Sequence, residues 1–211
     1  MPPEVEAKLQ AGDPAPLEAL SSETALDGAT LGPARTVDET DRYLDTADGR
    51  LEAALWACRL RTREGVVRVS LKGPAEGPGP GWLHRRPELE GPATESSDPA
   101  GWPMSDARRE LERLSGGAPL VERLRLHQQR TERSVHIGDR RVATLSLDRV
   151  AIARGARDAG ELFIVELELT DADALPPDEL QRLADALAGR AGLTPDPRTK
   201  LEHALERLAE S

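Results

Sequence analysis

Polar and apolar residues alternate with a period of two along much of the chain, as they do in β-strands that bury one face. The alternation covers residues 4–9, 35–46, 56–63, 66–72, 83–90, 120–135, 142–152 and 162–170. Most of these segments follow one another after short connections, which favours antiparallel pairing. The pattern therefore predicts roughly eight antiparallel strands in a barrel or sandwich.

Helical periodicity covers residues 13–20, 105–114, 177–191 and 200–209. Residues 177–191 give the clearest example, because Leu180, Leu183, Ala184 and Leu187 recur at helical spacing and Gly192 follows as a stop signal. Residues 73–81 and 91–103 are rich in Gly and Pro and predict loops, and strand-like segments resume on both sides of each. We therefore expect one α+β domain over residues 1–211, with helices packed outside the sheet.

The polar faces of several strands carry charges, often of a single sign, when residues i and i+2 are read together. These faces are Glu4, Glu6 and Lys8; Arg59, Arg61 and Arg63; Arg68, Ser70 and Lys72; Arg86, Glu88 and Glu90; and Glu166 with Glu168. For any one strand, a solvated outer face is the ordinary explanation. Like charges at this spacing repel each other, however, so their recurrence favours a divalent cation between the Glu pairs and a polyanion among the Arg and Lys side chains.

Composition narrows the classes of partner. The chain has 28 Lys and Arg against 38 Asp and Glu, a net charge of -10, which argues against non-specific binding to nucleic acid. No apolar run approaches the ~20 residues of a membrane span, and the N-terminus lacks the basic and apolar regions of a signal peptide. The single cysteine, Cys58, excludes an intramolecular disulfide. We expect a cytoplasmic protein without nucleic-acid or membrane partners.

The residue types also indicate which metal such a site would take. Carboxylate oxygens favour Mg²⁺ or Mn²⁺ over zinc. The histidines are scattered rather than set at zinc-ligand spacing, so we expect each to be structural or exposed; they are His84, His127, His136 and His203.

The first strand reads Glu-x-Glu-x-Lys at Glu4, Glu6 and Lys8, and this motif resembles the hallmark of the CYTH family, the triphosphate tunnel metalloenzymes. That family includes inorganic triphosphatases, thiamine triphosphatases and class IV adenylyl cyclases. Segments similar to the family's later strands and its closing helix follow in order across nearly the whole chain. They are Tyr43-Leu44-Asp45-Thr46, Cys58-Arg59-Leu60-Arg61, Ser70-Leu71-Lys72-Gly73-Pro74, Arg85-Arg86-Pro87-Glu88-Leu89-Glu90, Arg130-Thr131, Leu147-Asp148-Arg149, Glu166-Leu167-Glu168-Leu169 and Thr199-Lys200-Leu201-Glu202.

The resemblance implies a closed tunnel of eight antiparallel strands with a polar, charged interior and helices outside. It implies a Mg²⁺- or Mn²⁺-dependent triphosphatase that hydrolyses inorganic tripolyphosphate, with nucleoside triphosphates as further candidates. The implied substrate-binding residues are Lys8, Arg59, Arg61, Lys72, Arg86, Arg130 and Lys200. The implied metal ligands are Glu4, Glu6, Glu166 and Glu168, with Glu88, Glu90 and Asp148 as further ligands or acidic lining. Catalysis is expected to depend on Glu4, Glu6, Lys8, Arg59, Arg61 and Lys72.

Several residues keep two interpretations. Tyr43 is either a packing or a site residue, Asp45 either caps the following turn or takes part in catalysis, and Lys200 either caps a helix or reaches the tunnel. The tryptophans, Trp56, Trp82 and Trp102, are expected to be packing or loop anchors.

Two features bear on substrate choice and turnover. Trp56 lies one position too early for the tryptophan that stacks on thiamine in thiamine-specific members, so we expect it on the outer face. Ile164 and Gln128 depart from the more acidic eighth and more basic sixth strands of relatives, which puts turnover and substrate preference in question.

Four functions therefore compete with the inorganic triphosphatase: a non-catalytic module that binds triphosphate or polyphosphate, a class IV adenylyl cyclase, a thiamine triphosphatase, and a β-sandwich without a ligand. Both Glu-x-Glu pairs argue against the binding module, because binding an anion needs no acidic metal ligands. The resemblance also suggests a homodimer, and any polyphosphate-associated helical partner is expected to be a separate protein.

Overall fold

A computed structural model describes residues 3–75, 83–155, 157–190 and 192–210 of the chain. Its strands are β1 (Glu4–Ala11), β2 (Ala25–Leu26), β3 (Ala29–Leu31), β4 (Arg35–Thr46), β5 (Ala57–Arg63), β6 (Val66–Lys72), β7 (Leu83–Arg86), β8 (Glu88–Pro92), β9 (Leu120–Ile137), β10 (Arg140–Arg154), β11 (Arg157–Leu169) and β12 (Leu193–Pro195). Its helices are α1 (Ala15–Ser22), α2 (Arg50–Ala53), α3 (Asp106–Ser115), α4 (Pro177–Ala188) and α5 (Lys200–Glu210), with one 3-10 turn at Pro99–Gly101. Trp82 and residues 76–81 of the first predicted loop lie outside the described residues.

The strands form a nearly closed antiparallel barrel in the order β12-β1-β11-β10-β9-β4-β5-β6-β8. The predicted strand over 83–90 is divided at Pro87, which cannot donate to a β-ladder. Its first half, β7, pairs with β1, and its second half, β8, pairs with β6, so the divided strand links the two edges of the sheet. The short strand β12, which the alternation did not predict, pairs with the end of β1.

Helices cover the apolar outer faces of the barrel, as the sequence predicts. On one side, α1 and α4 pack on β1, β10 and β11, where Leu183 and Leu187 of α4 share a buried cluster with Leu145 and Leu167. On the other, α3 packs on β5 and β6. Ser105 begins α3 as its N-cap, because its Oγ accepts a hydrogen bond from the Arg108 N–H at 3.1 Å.

The helix α5 covers one end of the barrel. Leu126, Ile152 and Ile164 share the strand faces of the charged residues, yet they form a buried cluster with Ala204 and Leu208 of α5. The interior is therefore apolar at the end that α5 covers, and Ile164 contributes to that apolar cluster. Across the described residues, no helix combines the length and the apolar character that a membrane-spanning helix needs.

Candidate functional site

A cavity of 190 Å³ lies in the barrel interior, and charged side chains from several strands line it. Thirteen of the fourteen predicted site residues contribute to its wall, so the strand faces that alternate in sequence converge in space. These are Glu4, Glu6, Lys8, Arg59, Arg61, Lys72, Arg86, Glu88, Glu90, Arg130, Glu166, Glu168 and Lys200. The fourteenth, Asp148, lies behind the wall and contacts Arg130 and Lys200.

Strand register brings these side chains together. Glu6 on β1 pairs with Glu168 on β11, and Lys8 pairs with Glu166. On the other side of β1, Glu4 pairs with Arg86 of β7. Side chains of directly paired residues stand side by side on one face of a sheet, so the two Glu-x-Glu segments form a single acidic surface. The signal for this surface was present in the alternation of each strand.

Glu4 is held between two cations. Lys72 Nζ donates to Glu4 Oε1 at 2.5 Å, and Arg86 Nε donates to Glu4 Oε2 at 3.1 Å. Burial opposes ionisation of Glu4, but Lys72 and Arg86 outweigh it and lower its pKa to about 2. Arg86 also donates from Nη2 to Glu6 Oε1 at 3.3 Å, so one guanidinium bridges both carboxylates of β1.

Glu168 is the exception among these carboxylates. It forms no hydrogen bond or ion pair within the part of the chain that the structure describes. Burial together with Glu4, Glu6 and Glu166 outweighs the opposing effect of Lys72 and raises the pKa of Glu168 to about 7. A site with this excess of negative charge is suited to a divalent cation, whose preferred ligands are carboxylate oxygens. No three His, Cys, Asp or Glu groups of the described residues stand close enough to hold a metal ion as they are, because most of the carboxylates are turned toward Lys and Arg side chains.

A second group of ion pairs lies nearer to α5. Arg130 donates to both oxygens of Asp148 at 2.7 Å and to Glu166 Oε2 at 2.9 Å. Lys200 Nζ, at the start of α5, donates to Asp148 Oδ2 at 2.6 Å and Glu166 Oε2 at 2.8 Å. Of the two interpretations of Lys200, the structure therefore favours the one in which it reaches the tunnel. Burial opposes ionisation, but Lys200 and Arg130 keep the pKa values of Asp148 and Glu166 below their usual range.

Lys8 is fully enclosed in the barrel wall, with a side chain that is only 1% exposed. Its Nζ donates to the carbonyl of Arg198 at 2.8 Å and lies 3.9 Å from Glu166 Oε1. Burial lowers its pKa, although Glu166 and Glu6 act in the opposite direction. Its ammonium is therefore oriented by the chain just before α5.

Two buried carboxylates of β4, Glu39 and Asp41, were missed by the sequence analysis. Arg61 donates from Nε and Nη2 to the two oxygens of Asp41 at 2.7 Å each, and its Nη1 lies 3.0 Å from Glu39 Oε2. Arg59 Nη1 lies 3.6 Å from Asp41 Oδ2. The signal was available in the sequence, because Glu39 and Asp41 alternate on one face of β4 in the same way as Glu4 and Glu6 do on β1.

Asp41 and Glu39 also form hydrogen bonds with Gln128 and Arg63. Gln128 Nε2 donates to Asp41 Oδ2 at 2.6 Å, which gives this departure from the family pattern a structural role. Arg63 donates to Glu39 at 3.0 Å and to both oxygens of Glu132 at 2.5–2.6 Å. Arg63 shares its face with Arg59 and Arg61, but it was not predicted as a site residue.

Other residues have structural partners. The carboxylate of Asp45 accepts hydrogen bonds from the backbone N–H groups of Thr46, Leu51 and Glu52. The structure therefore favours the interpretation in which Asp45 caps the turn that follows it. Glu90 lies at the rim of the cavity with a side chain that is 48% exposed, and its partner is Arg68 at 3.3 Å.

The aromatic residues divide between the two faces of the barrel. Tyr43 is buried in the cluster beneath α5 and also lines the charged cavity. Trp56 packs against the outer cluster beneath α3, on the face that the sequence predicted. Trp102 is buried in that cluster, and its Nε1 donates to the carbonyl of Ser96 at 2.9 Å. Trp56 and Trp102 therefore act as packing anchors.

A larger cavity of 410 Å³ adjoins the charged one. Trp56 lines only the larger cavity. The two walls share Tyr43, Ala57, Lys72, Arg86, Thr199 and Leu201. The charged cavity therefore has a second, larger cavity beside it.

Comparison with solved structures supports the fold. HpAC1 from Hippeastrum, described as having a dominant triphosphatase activity, is 18% identical with a TM-score of 0.68, over 96% of this chain and 95% of that chain. The PH1819 protein from Pyrococcus horikoshii OT3 is 22% identical with a TM-score of 0.58, over 96% and 99% of the two chains. A candidate adenylate cyclase from Bacillus halodurans is 18% identical with a TM-score of 0.59, over 96% and 98%.

A search of curated protein sequences finds no significant match to the chain. The model of the CYTH domain, in contrast, matches residues 2–200. This match extends over β1, whose Glu-x-Glu-x-Lys motif lines the charged cavity, and over every other strand of the barrel. The chain belongs to the CYTH family.

Proposed function

We propose that this CYTH protein is a metal-dependent phosphoanhydride hydrolase whose substrate is inorganic tripolyphosphate. The observation that carries the proposal is the placement of carboxylates and cations in one enclosed cavity. A site for a neutral ligand does not need both carboxylates and cations. A site for a metal-bound polyanion does, because the carboxylates bind the metal and the cations bind the anion. HpAC1, which shares the fold, is described as having a dominant triphosphatase activity.

The carboxylates of β1 and β11 provide the ligands for the metal. Glu4, Glu6 and Glu168 come together on adjacent strands, and among the described residues Glu168 forms no hydrogen bond or ion pair. Oxygen ligands of this kind select Mg²⁺ or Mn²⁺. When bound, such an ion neutralises charge on the phosphates and on the leaving oxygen.

Basic side chains around the same cavity provide the phosphate contacts. Arg59, Lys72 and Arg86 form ion pairs with carboxylates, and phosphate oxygens can replace those carboxylates as acceptors. Lys8 and Lys200 approach from the side of α5. Arg61 and Arg130 are each held by a bidentate carboxylate, and both residues contribute to the cavity wall.

Hydrolysis transfers the terminal phosphoryl group to water. The oxygen of water forms a new bond to the terminal phosphorus, the bond to the bridging oxygen breaks, and pyrophosphate leaves. Negative charge develops on the leaving oxygen, and cations that are already in place stabilise it without reorganisation. We expect Arg59, Lys72 and Arg86 to take this role, since all three line the cavity.

A phosphate-release assay tests the proposal. Tripolyphosphate, ATP, thiamine triphosphate and long-chain polyphosphate are compared with Mg²⁺, with Mn²⁺ and with chelator, while cyclic AMP is monitored from ATP. We expect release from tripolyphosphate that requires metal. Preferred formation of cyclic AMP, or tight binding without release under every condition, would contradict the proposal and support the cyclase or the binding module.

Lys72 and Arg68 provide a matched pair of variants. Both lie on the same face of β6, but Lys72 contacts Glu4 in the cavity, whereas the side chain of Arg68 is 52% exposed at the rim. We expect Lys72→Ala to lower kcat/KM for tripolyphosphate by about 100-fold, the loss that removal of one preorganised cation gives. Arg68→Ala should stay within about threefold of wild type, because exposed ion pairs contribute little. Equal losses in both variants would contradict the placement of the substrate in the cavity.

A further inference from the structure

Asp196, in the turn between β12 and α5, is buried, with 2% of its surface exposed. Its backbone N–H donates to the carbonyl of Lys8 at 3.0 Å, and its own carbonyl accepts from His84 Nε2 at 2.9 Å. Its carboxylate accepts from His203 Nε2 at 2.6 Å and from the Arg198 N–H at 3.1 Å. One residue therefore uses both backbone groups and its side chain to connect separate elements.

The partners of Asp196 lie on the elements that carry the cations of the cavity. The carbonyl that accepts from Asp196 is that of Lys8 on β1. His84 lies two residues before Arg86 on β7, and His203 lies one turn after Lys200 on α5. The same turn also contacts the Lys8 side chain, because Lys8 Nζ donates to the carbonyl of Arg198.

Asp196 and His203 do not line the charged cavity, so neither can touch a ligand there. Lys200, in contrast, is the first residue of α5, and the first turn of a helix lacks the full set of intrahelical hydrogen bonds. Its long side chain has many rotamers, and the loss of rotamer entropy opposes holding it in one. An anchor one turn further along α5 therefore has a direct effect on where the ammonium of Lys200 stands.

We propose that Asp196 and His203 are positioning residues that fix the ammonium groups of Lys8 and Lys200 for binding of a triphosphate. The hydrogen bond from His203 to Asp196 connects α5 to the turn before it. The backbone hydrogen bonds of Asp196 connect that turn to β1 and β7. Preorganisation of this kind strengthens binding without any new contact to the ligand. The inference rests on the proposed function for the identity of the ligand.

A double-mutant cycle between Lys200 and His203 tests the inference. Binding of tripolyphosphate is measured by calorimetry in the presence of chelator, so that no turnover is needed. We expect His203→Ala to weaken binding about tenfold and His203→Gln, which retains an N–H donor, to stay within about threefold of wild type. In the Lys200→Ala background, His203→Ala should change the affinity by less than about twofold, because residues that act through one another are not additive.

Leu208→Ala is the matched control. Leu208 packs α5 against the barrel but lies outside the hydrogen-bonded turn. Its effect on affinity should be small and should be the same in the wild-type and Lys200→Ala backgrounds. If His203→Ala adds its full effect to Lys200→Ala, or if His203→Gln binds as weakly as His203→Ala, the inference is overturned.

A crystal structure of His203→Ala gives a readout that needs neither binding nor turnover. We expect Lys200 Nζ to leave Asp148 and Glu166, and unchanged contacts would overturn the inference. If His203→Ala does not fold, Asp196→Asn takes its place with the same expectation, since Asn keeps an oxygen for the Arg198 N–H. If the wild type releases no phosphate, the proposed function is wrong, but the inference about Asp196 and His203 can still be tested. Neither the calorimetry nor the crystal structure depends on hydrolysis.

Discussion

At the scale of single residues, the interior of the barrel is organised by charge pairing. Glu4 is bound to Lys72 and Arg86, Asp41 to Arg61, and Asp148 to Arg130 and Lys200. Buried charges are tolerated only when they are paired, because desolvation of an isolated ion costs several kcal/mol. These carboxylates thus occupy the acceptor positions that phosphate oxygens would take under the proposed function.

The pair between Asp41 and Arg61 predicts a dependence of stability on pH. Burial opposes ionisation, but Arg61 and Arg59 hold the pKa of Asp41 well below its usual range. A lowered pKa contributes stability that is complete above the unfolded value of about 3.9 and is lost as the pH falls through the folded value. We expect Asp41→Asn to lower the free energy of unfolding by about 3 kcal/mol at pH 7, since it leaves Arg61 uncompensated.

The difference between wild type and Asp41→Asn should narrow by about 1 kcal/mol at pH 3, because the unfolded wild type then takes up a proton. Urea unfolding at pH 7 and pH 3 measures it. A difference that is as large at pH 3 as at pH 7 would show that the charge of Asp41 does not contribute.

Variants of Glu6 and Glu90 test whether a metal binds at the centre of the cavity or at its rim. Glu6 is 3% exposed and pairs with Glu168, whereas Glu90 is bound to Arg68 at the rim. We expect Glu6→Gln to lower Mg²⁺-dependent phosphate release by about 100-fold. Glu90→Gln should remain within about threefold of wild type. Steady-state kinetics over a range of Mg²⁺ concentrations test both, and a loss in Glu90→Gln that higher Mg²⁺ restores would place the metal at the rim.

At the scale of elements, the divided strand β7–β8 pairs with both edges of the sheet, and the helix α3 packs against β8. Gly91 on β8 lies against the N-cap of α3, and a Cβ at this position would stand 2.6 Å from the Cβ of Ser105. The absence of a side chain at Gly91 therefore allows β8 and α3 to approach each other.

This contact predicts that Gly91→Ala lowers the free energy of unfolding by about 1–3 kcal/mol, since the collision forces β8 and α3 apart. Gly12→Ala is the control, because a Cβ at Gly12 meets nothing within 4 Å. Thermal unfolding of both variants measures the difference. Equal stability of the two variants would contradict the close approach of β8 and α3.

At the scale of the whole molecule, alternation in the sequence predicted most of the barrel, because each strand has one charged and one apolar face. Arg35–Thr46 and Val66–Lys72 have the predicted bounds. The division at Pro87 was not predicted, since pairing to two different strands depends on tertiary contacts. The apolar end beneath α5 was missed for the same reason, because Ile164 and Leu126 alternate like the charged residues of their strands and only the position of α5 explains them.

Under the proposed function, metal and triphosphate bind together inside this barrel. A crystal structure with Mn²⁺ and tripolyphosphate is the decisive test of this claim, because anomalous scattering locates the metal independently of the phosphates. We expect Mn²⁺ within coordination distance of Glu4, Glu6 and Glu168, and phosphate oxygens on Arg59, Lys72 and Arg86. Manganese and phosphate bound on the outer surface, with the interior ion pairs unchanged, would contradict the claim.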